Sequence, residues 1–450
     1  MDHPKYQPAP RGHSFRWLLL GLMMFQILAL TVCQYAIVAV MPTLVRTFGL
    51  DREATALIII AFGLGFAMGP IIGGLPLDRY GARMPVLAAL TLALVGLALV
   101  AGAAGSLMLL FSRALLGVAA GLLMTSTVRF VANWFSLHER GKAFALLLWP
   151  IPLGMALAPE FLPQFRAWLS GWGPGEWRLL FILLGLTVLV SAVAWLRLYT
   201  DDPSRSPHVS ARELAAIGRG IQHRHRRGTT KHRAPEDGHR RKAVMLTILV
   251  NTFALMVAGY TLFFALVWIP DRILTQTDWD SPASIYLGFI PWLAGAAGAL
   301  VGGLLSDAML RRAGWLRMAR SRILTWSAVI AWFLITLVIL MPADIAVRAR
   351  FVLLLIAALV ALVFTALPSL LATNVDLLQR VPSFVSGIML TLMVMAALVA
   401  PSLSQLLGHL GGSDLYPMLV VSALNCLMIL LTHAFHRPDD SLDDRWNGQA

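Results

Sequence analysis

The strongest constraint on the fold of this chain is a series of long apolar segments without charge. Two of them, "ATALIIIAFGLGFAMGPII" and "VLAALTLALVGLALVAGAAG", flank one short charged stretch. About 20 such residues in a helix cross a hydrocarbon core of about 30 Å. The segments are continuously apolar rather than alternating, which excludes the strands of a membrane barrel. With only 13% charged residues, against about 25% in soluble domains, the chain is predicted to be an all-α integral membrane protein.

The apolar segments predict twelve transmembrane helices. The first is much longer than the apolar core of a signal peptide and lacks a clear cleavage site, so it is interpreted as a retained helix. The predicted spans are approximately 17–45, 54–73, 84–104, 106–127, 143–160, 178–198, 244–269, 284–305, 323–342, 350–373, 384–406 and 415–433.

The spans and their connections predict two six-helix bundles. An N-terminal tail, 1–16, precedes the first bundle, 17–198; a basic linker, 199–243, leads to the second bundle, 244–433, and a C-terminal tail, 434–450, follows it. Most of the 36 Lys and Arg residues fall on the side that holds both tails and the linker, which predicts that both termini are cytoplasmic. Because this bias explains the net charge of +13, the charge does not indicate nucleic-acid binding.

The two cysteines indicate neither a disulfide framework nor a metal site, and no cofactor is predicted. Cys33 and Cys426 both fall inside spans, with no metal-ligand spacing. The basic stretch 221–242 of the linker contains four histidines, His223, His225, His232 and His239. A metal-binding tract, a contact with anionic lipids and a solvated linker remain alternatives. The solvated linker is favoured over the lipid contact, and the lipid contact over the metal-binding tract, since neighbouring basic residues repel a cation.

The charged stretch between spans two and three, "GGLPLDRYGARMPV", is interpreted as a turn with a function in gating. Gly81 permits a positive φ, and Asp78 can accept hydrogen bonds from an arginine or from a helix N-terminus. Its pattern, Gly74-x-x-x-Asp78-Arg79-x-Gly81-x-Arg83, resembles the signature loop of the major facilitator superfamily. The resemblance implies a charged latch that holds the two bundles together on the cytoplasmic side.

A similar device follows span eight. Gly303-x-x-x-Asp307 repeats the first spacing, with Arg311, Arg312 and Gly314 after it, which indicates two related halves. Arg113-x-x-x-Gly117-x-x-x-Gly121 and the stretch from Glu139 and Arg140 to Ala143 resemble the superfamily's fourth helix and the loop after it. Shorter stretches, "DDPSRSPHVSARELAAI" and "YTLFFALVWIP", are similar to the anion:cation symporter family, which carries hexuronates, aldonates and aromatic acids.

Two acidic positions of that family are absent here. Its first helix carries an Asp-Arg pair, where this chain has Cys33, Gln34 and Tyr35, and its fourth carries a glutamate where this chain has Ala120. The resemblance implies proton coupling, but the missing carboxylates make uniport or anion exchange equally compatible with the sequence.

Arg113 is the principal candidate for substrate binding. It is the clearly intramembrane ion of the sequence, and a charge at such depth is costly unless it has a function; snorkelling to the outer interface is the alternative. An arginine facing a cavity favours an anion, because its planar fork grips a carboxylate in two places. Gln34, Tyr35, Asn251 and Tyr260 are the predicted polar partners around the substrate, with helix-to-helix hydrogen bonding as their alternative.

The sequence therefore predicts a monomeric secondary carrier that moves a small organic anion across a bacterial inner membrane by alternating access. Protons or a counter-anion are candidate coupling partners, and lipids surround it. Drug efflux is the alternative within carriers. A transporter-like sensor would have only short tails and the linker for signalling, and an enzyme would need a catalytic constellation that the sequence does not contain.

Overall fold

The computed structural model is almost entirely helical. It describes residues 15–169, 171, 175–217, 237–269, 282–340, 345–378, 381–411 and 415–438. Within these ranges, twelve helices are long and apolar enough to cross a membrane, as the sequence predicts. The histidine-rich part of the linker, 218–236, and the ends of both tails lie outside the described residues.

The first six membrane helices form the N-terminal bundle. They are α1 (Phe15–Phe48), α2 (Arg52–Tyr80), α3 (Arg83–Ala101), α4 (Ser106–Trp134), α5 (Leu137–Leu169) and α6 (Trp177–Leu198). Helix α5 starts with a 3-10 turn, Leu137–Glu139, and continues as two helical segments, Arg140–Leu148 and Pro150–Leu169. Within the bundle, α4 packs against α2 and α3, while α1 packs against α5 and α6.

The last six form the C-terminal bundle. They are α7 (Asp237–Phe263, continued by the π-helical turn Phe264–Trp268), α8 (Pro282–Ala313), α9 (Arg322–Leu340, preceded by the π-helical turn Arg317–Ser321), α10 (Ile345–Leu377), α11 (Pro382–Gly411) and α12 (Leu415–Phe435). Between the bundles, α2 packs against α11, and α5 packs against α8 and α10.

The charged stretch after span two is mostly helical, which corrects its interpretation as a turn. Helix α2 continues through Pro70, Pro76 and Asp78 to Tyr80, and the chain reverses only at Gly81, where φ is +87°. Asp307 likewise lies inside α8 rather than after it. Both aspartates are therefore held by rigid helices at the end of the bundles where α1 begins and α12 ends. This end is called the terminal face below, and the other end the opposite face.

The short segment after α6 fastens the N-terminal bundle at the terminal face. Asp201 accepts hydrogen bonds from the backbone N–H groups of Ala82 and Arg83, 2.6 and 3.1 Å away, at the start of α3. Glu213, in the helical residues 211–217, accepts from the first N–H groups of α1, at Phe15 and Arg16. Since the first N–H groups of a helix have no partner within it, two carboxylates of one connecting segment cap two helices.

Candidate functional site: an apolar cavity and two latches between the bundles

A cavity of ≈ 330 Å³ lies between the two bundles. The N-terminal bundle contributes Gln34, Phe62 and Ala120 to its lining, and the C-terminal bundle contributes Trp292, Phe364 and Leu390, among others. Its volume is at the lower end of the range for small-molecule sites. A cavity that both bundles line changes its access when the bundles move relative to each other, which is the geometry that alternating access requires.

Arg113 does not itself line the cavity but contacts two residues that do. Its Nη1 donates to the carbonyl oxygen of Gln34 at 3.1 Å, its Nε donates to that of Ile58 at 3.4 Å, and its guanidinium is 4.8 Å from the ring centroid of Phe62. Gln34 and Phe62 both line the cavity. Among the described residues no carboxylate lies within 4 Å of Arg113, although its side chain is buried, with 2% of the residue exposed.

The other four predicted substrate contacts are separated by the fold. Gln34 lines the cavity, while Tyr35 is half-buried beside it and is not part of the lining. Asn251 donates to Asn374 Oδ1 at 3.0 Å, and the hydroxyl of Tyr260 hydrogen-bonds that of Ser404 at 3.0 Å. Neither Asn251 nor Tyr260 lines the cavity. The side chains of Asn251 and Tyr260 each form a hydrogen bond to another helix, which is the second interpretation given for them above.

The first latch joins α2 to the start of α11. The carboxylate of Asp78 accepts from the backbone N–H groups of Ser383 at 3.1 Å and Phe384 at 2.8 Å, and Arg129 lies 3.9 Å away. These N–H groups lie in the first turn of α11, where the helix dipole favours a negative charge. A Cβ at Gly74 would come 2.7 Å from the Phe384 Cα, so glycine is needed for this approach.

The other predicted residues of the first latch act within the N-terminal bundle. Arg79 lies over the ring of its neighbour Tyr80, with 5.2 Å between the guanidinium and the ring centroid. Gly81 makes the turn to α3, and Arg83 donates to the carbonyl oxygen of Leu196 at 2.9 Å. In the part of the chain that the structure describes, Asp78 is therefore the charged residue of this stretch that crosses to the other bundle.

The second latch joins α8 to the start of α5. Asp307 accepts from the backbone N–H groups of Gly141 at 3.0 Å and Lys142 at 2.7 Å, and Arg320 lies 3.2 Å from the same carboxylate. A Cβ at Gly303 would meet the backbone oxygen of Gly141 well inside contact distance. Both aspartates thus cap the first turn of a helix in the opposite bundle.

Ion pairs extend the second latch. Arg140 donates to Asp376 on α10 at 2.7 Å, and Arg320 lies 3.5 Å from the same carboxylate. Arg311 donates to the carbonyl oxygen of His138 at 3.4 Å. Glu139 is turned away from the C-terminal bundle and forms a bidentate pair with Arg16, at 2.8 and 2.9 Å. Of these two neighbouring motif residues, Arg140 therefore crosses between the bundles, and Glu139 binds Arg16 of α1.

Sequence reasoning missed Arg320, Asp201 and Glu213. Arg320 looked like one of several basic residues in a loop, but its side chain is fully buried, 0% exposed, between Asp307 and Asp376. Asp201 and Glu213 belong to the linker as predicted from sequence, and only their position next to helix starts reveals their function. For Asp201, a carboxylate three residues after the end of α6 in a largely basic linker is the signal that was available.

The C-terminal tail begins with a buried histidine just beyond the last span. The side-chain NH2 group of Asn251 donates to Asn374, so its Oδ1 faces His436 and accepts from Nε2 at 2.8 Å. The other ring nitrogen of His436, Nδ1, accepts from the Ser321 hydroxyl. Burial, with the positive charge of Arg317 as a smaller cause, lowers the pKa of His436 to about 4. The histidine is therefore neutral at pH 7 and joins α12 to α7 and to the turn before α9.

The protein has twelve helices in two bundles, a cavity between the bundles and capped helix starts at one face. This architecture is typical of secondary membrane carriers. The profile described as "Major Facilitator Superfamily" matches residues 23–401. The chain belongs to the Major Facilitator Superfamily. The fold agrees: the fucose:proton symporter FucP of E. coli superposes with a TM-score of 0.66 at 14% identity, covering 93% of this chain and 98% of that chain.

Curated relatives share roughly a quarter of their residues with this chain. A probable sulfoacetate transporter of Cupriavidus necator is 28% identical over 69% of this chain and 69% of its own. A hexuronate transporter of Bacillus subtilis is 25% identical over 58% of each chain. A probable galactarate/D-glucarate transporter of the same organism is 26% identical over 71% of this chain and 70% of its own.

Proposed function

We propose that this protein is a secondary carrier that moves a small organic anion by alternating access. The relatives are named for organic anions, and the observation that carries the proposal is Arg113. This buried arginine lies behind the cavity-lining residues Gln34 and Phe62 and touches backbone oxygens and the Phe62 ring instead of a carboxylate. A bound anion would supply the missing negative charge at a site that both bundles line.

We propose further that Asp78 and Asp307 are the latches of the gate. Each makes hydrogen bonds to N–H groups in the first turn of a helix in the other bundle, so the bundles cannot separate at the terminal face without breaking them. The excess of Lys and Arg on this face supports a cytoplasmic position, with both termini inside. The proposed setting is a monomer in a bacterial inner membrane, with no nucleic-acid partner.

The proposed coupling is uniport or anion exchange. Among the described residues that line the cavity there is no carboxylate or histidine, so no side chain there can bind and release a proton at neutral pH. Transport of labelled anion into liposomes, driven either by a pH gradient or by counter-anion inside, tests this. Uptake driven by the pH gradient alone contradicts it and supports proton symport.

The experiment that tests the anion proposal is a thermal-shift screen of the purified protein against carboxylates, sulfonates and cationic drugs. A ligand that binds only the folded state raises the melting temperature. The Arg113→Ala variant should lose the stabilisation by anions, because the guanidinium that would bind the anionic group is removed. A loss of about 2.7 kcal/mol of binding free energy corresponds to about 100-fold weaker binding. Arg178→Ala is the matched control, because Arg178 also donates to backbone carbonyls, of Ala101 and Ala103, but lies away from the cavity.

Export of neutral apolar compounds is the second candidate, favoured by the apolar lining around Phe62, Leu123 and Phe364. Stabilisation by lipophilic drugs that persists in Arg113→Ala would support it over anion transport. Flux of the stabilising compound in liposomes separates both carriers from a sensor or an enzyme, which bind ligand without moving it.

A further inference from the structure

The composition of the cavity wall restricts which anions can be the substrate. Of the side chains that line the cavity in the described part of the chain, almost all are aliphatic, aromatic or thioether groups. Three carry a hydrogen-bonding group, Thr31, Gln34 and Trp292. The Thr31 hydroxyl already donates to the carbonyl oxygen of Ile27 at 2.9 Å. Few donors and acceptors are therefore left for a ligand.

Among the residues that the structure describes, the charged group next to the lining belongs to Arg113. Gln34 lines the cavity next to Arg113, whose guanidinium contacts the Gln34 carbonyl oxygen and the Phe62 ring. Ala120 lines the cavity two turns further along α4, which is about 10 Å at 1.5 Å per residue. Ala120 and the lining residues Leu123, Met124 and Leu371 are apolar.

The charge of the site suits one anionic group. Arg113 is the cation in contact with lining residues, and no Lys, Arg or His is itself among the described lining residues. A second carboxylate or sulfonate on the same ligand would be held in apolar surroundings without a partner, which is strongly unfavourable. Each hydroxyl group of a ligand would also weaken binding, because a buried hydroxyl without a hydrogen bond is destabilising.

We propose that the substrate is a monoanion with one carboxylate or sulfonate and an apolar body the size of a single ring or a short acyl chain, rather than a sugar acid or a compact dianion. The anionic group lies at Arg113 and Gln34, and the apolar body extends along the wall past Ala120. This inference rests on the proposed anion-carrier function and separates this chain from relatives named for hexuronate, galactarate and sulfoacetate.

The test uses ligands matched in shape. Cyclohexanecarboxylate and quinate share one ring skeleton and one carboxylate and differ in the hydroxyl groups; cyclohexanecarboxamide is the neutral analogue, and sulfoacetate the compact dianion. Dissociation constants are measured by titration calorimetry with the full-length purified protein. Cyclohexanecarboxylate is expected to bind at least about 100-fold more tightly than quinate, because several unpaired hydroxyl groups act together, and more tightly than sulfoacetate.

Two variants test where the ring binds. Ala120→Leu fills the cavity wall and is expected to weaken cyclohexanecarboxylate binding at least about tenfold. Ala88→Leu, the same exchange at an exposed position of α3, is expected to leave it unchanged. The comparison of ligands on the wild type stands even if Ala120→Leu does not fold.

The outcomes separate the two proposals. Binding of quinate or sulfoacetate as tight as that of cyclohexanecarboxylate, or no binding of cyclohexanecarboxylate at all, overturns the inference; if the anions that bind still depend on Arg113, the carrier function stands. Equal binding of the carboxamide and the carboxylate, unchanged in Arg113→Ala, overturns the inference together with the anion-carrier function. Loss of cyclohexanecarboxylate binding in Ala88→Leu as well as in Ala120→Leu overturns the placement of the ring.

Discussion

Replacing Asp78 by asparagine should open the terminal face without unfolding the protein. Asparagine keeps the size and an acceptor oxygen, so it can still cap α11, but the negative charge that faces the Ser383 and Phe384 N–H groups is removed. Charge-assisted hydrogen bonds are worth about 1.5–3 kcal/mol and neutral ones about 0.5–1.5 kcal/mol. The side chain is only 5% exposed, so solvent screens it little. The closed state should lose about 1–2 kcal/mol, a 5- to 30-fold shift towards the open state.

The shift can be measured by labelling a cysteine that the latch protects. Leu371 lines the cavity and is 1% exposed. In a background of Cys33→Ala and Cys426→Ser, Leu371→Cys should react with a membrane-impermeant maleimide, supplied at the terminal face, 5- to 30-fold faster after Asp78→Asn. Arg79→Gln is the control, because the Arg79 guanidinium stacks on Tyr80 within the same bundle. An unchanged rate in Asp78→Asn, or an equal increase in Arg79→Gln, refutes the latch.

Three further predictions concern packing and stability at the same face. Gly303→Ala should place a Cβ against the Gly141 backbone and raise the Leu371→Cys labelling rate about tenfold, whereas Gly288→Ala, with open space around it, should not; equal rates would contradict the close approach. Glu213→Gln should lower stability by about 1 kcal/mol, because it removes the charge at the start of α1, and a melting temperature no lower than that of Glu160→Gln, whose carboxylate is exposed, would contradict this. The pKa of His436 is about 4 in the folded state and about 6.5 unfolded, so stability present above pH 6.5 should be lost as pH falls to 4, by up to about 3 kcal/mol; a His436→Gln variant with the same pH dependence of melting would refute it.

The membrane helices and both latch aspartates could be predicted from the sequence, because charge is rare in a chain with a mean hydropathy of +0.74. The helix starts that these two aspartates bind could not be predicted from the sequence. Asp78 caps a helix that starts about 300 residues later, and no local pattern encodes how the two bundles meet. Helices that are apolar on all sides also do not indicate which face is buried, so Asn251 and Tyr260 could not be distinguished from cavity residues.

The helix ends were misplaced for a related reason. Pro76 and the glycines around Asp78 favour a break in a soluble helix, and a turn was predicted there. In α2 they remain helical up to Tyr80, since a membrane segment must satisfy its backbone groups internally. The aspartate therefore extends from a rigid helix, which can keep its carboxylate about 3 Å from two N–H groups of the other bundle.

The two latches are equivalent under exchange of the bundles, since in both of them an aspartate of one bundle caps the start of a helix in the other. Asp78 on α2 caps α11, and Asp307 on α8 caps α5, so each bundle supplies one carboxylate and one helix start. A helix N-terminus is a fixed partner that needs no long side chain to be ordered, whereas an exposed ion pair loses side-chain entropy and contributes little. When the bundles part, the aspartate and the freed N–H groups both reach water, and their hydration offsets part of the hydrogen-bond energy that is lost. Contacts of this kind can hold a closed face firmly and still break in every transport cycle.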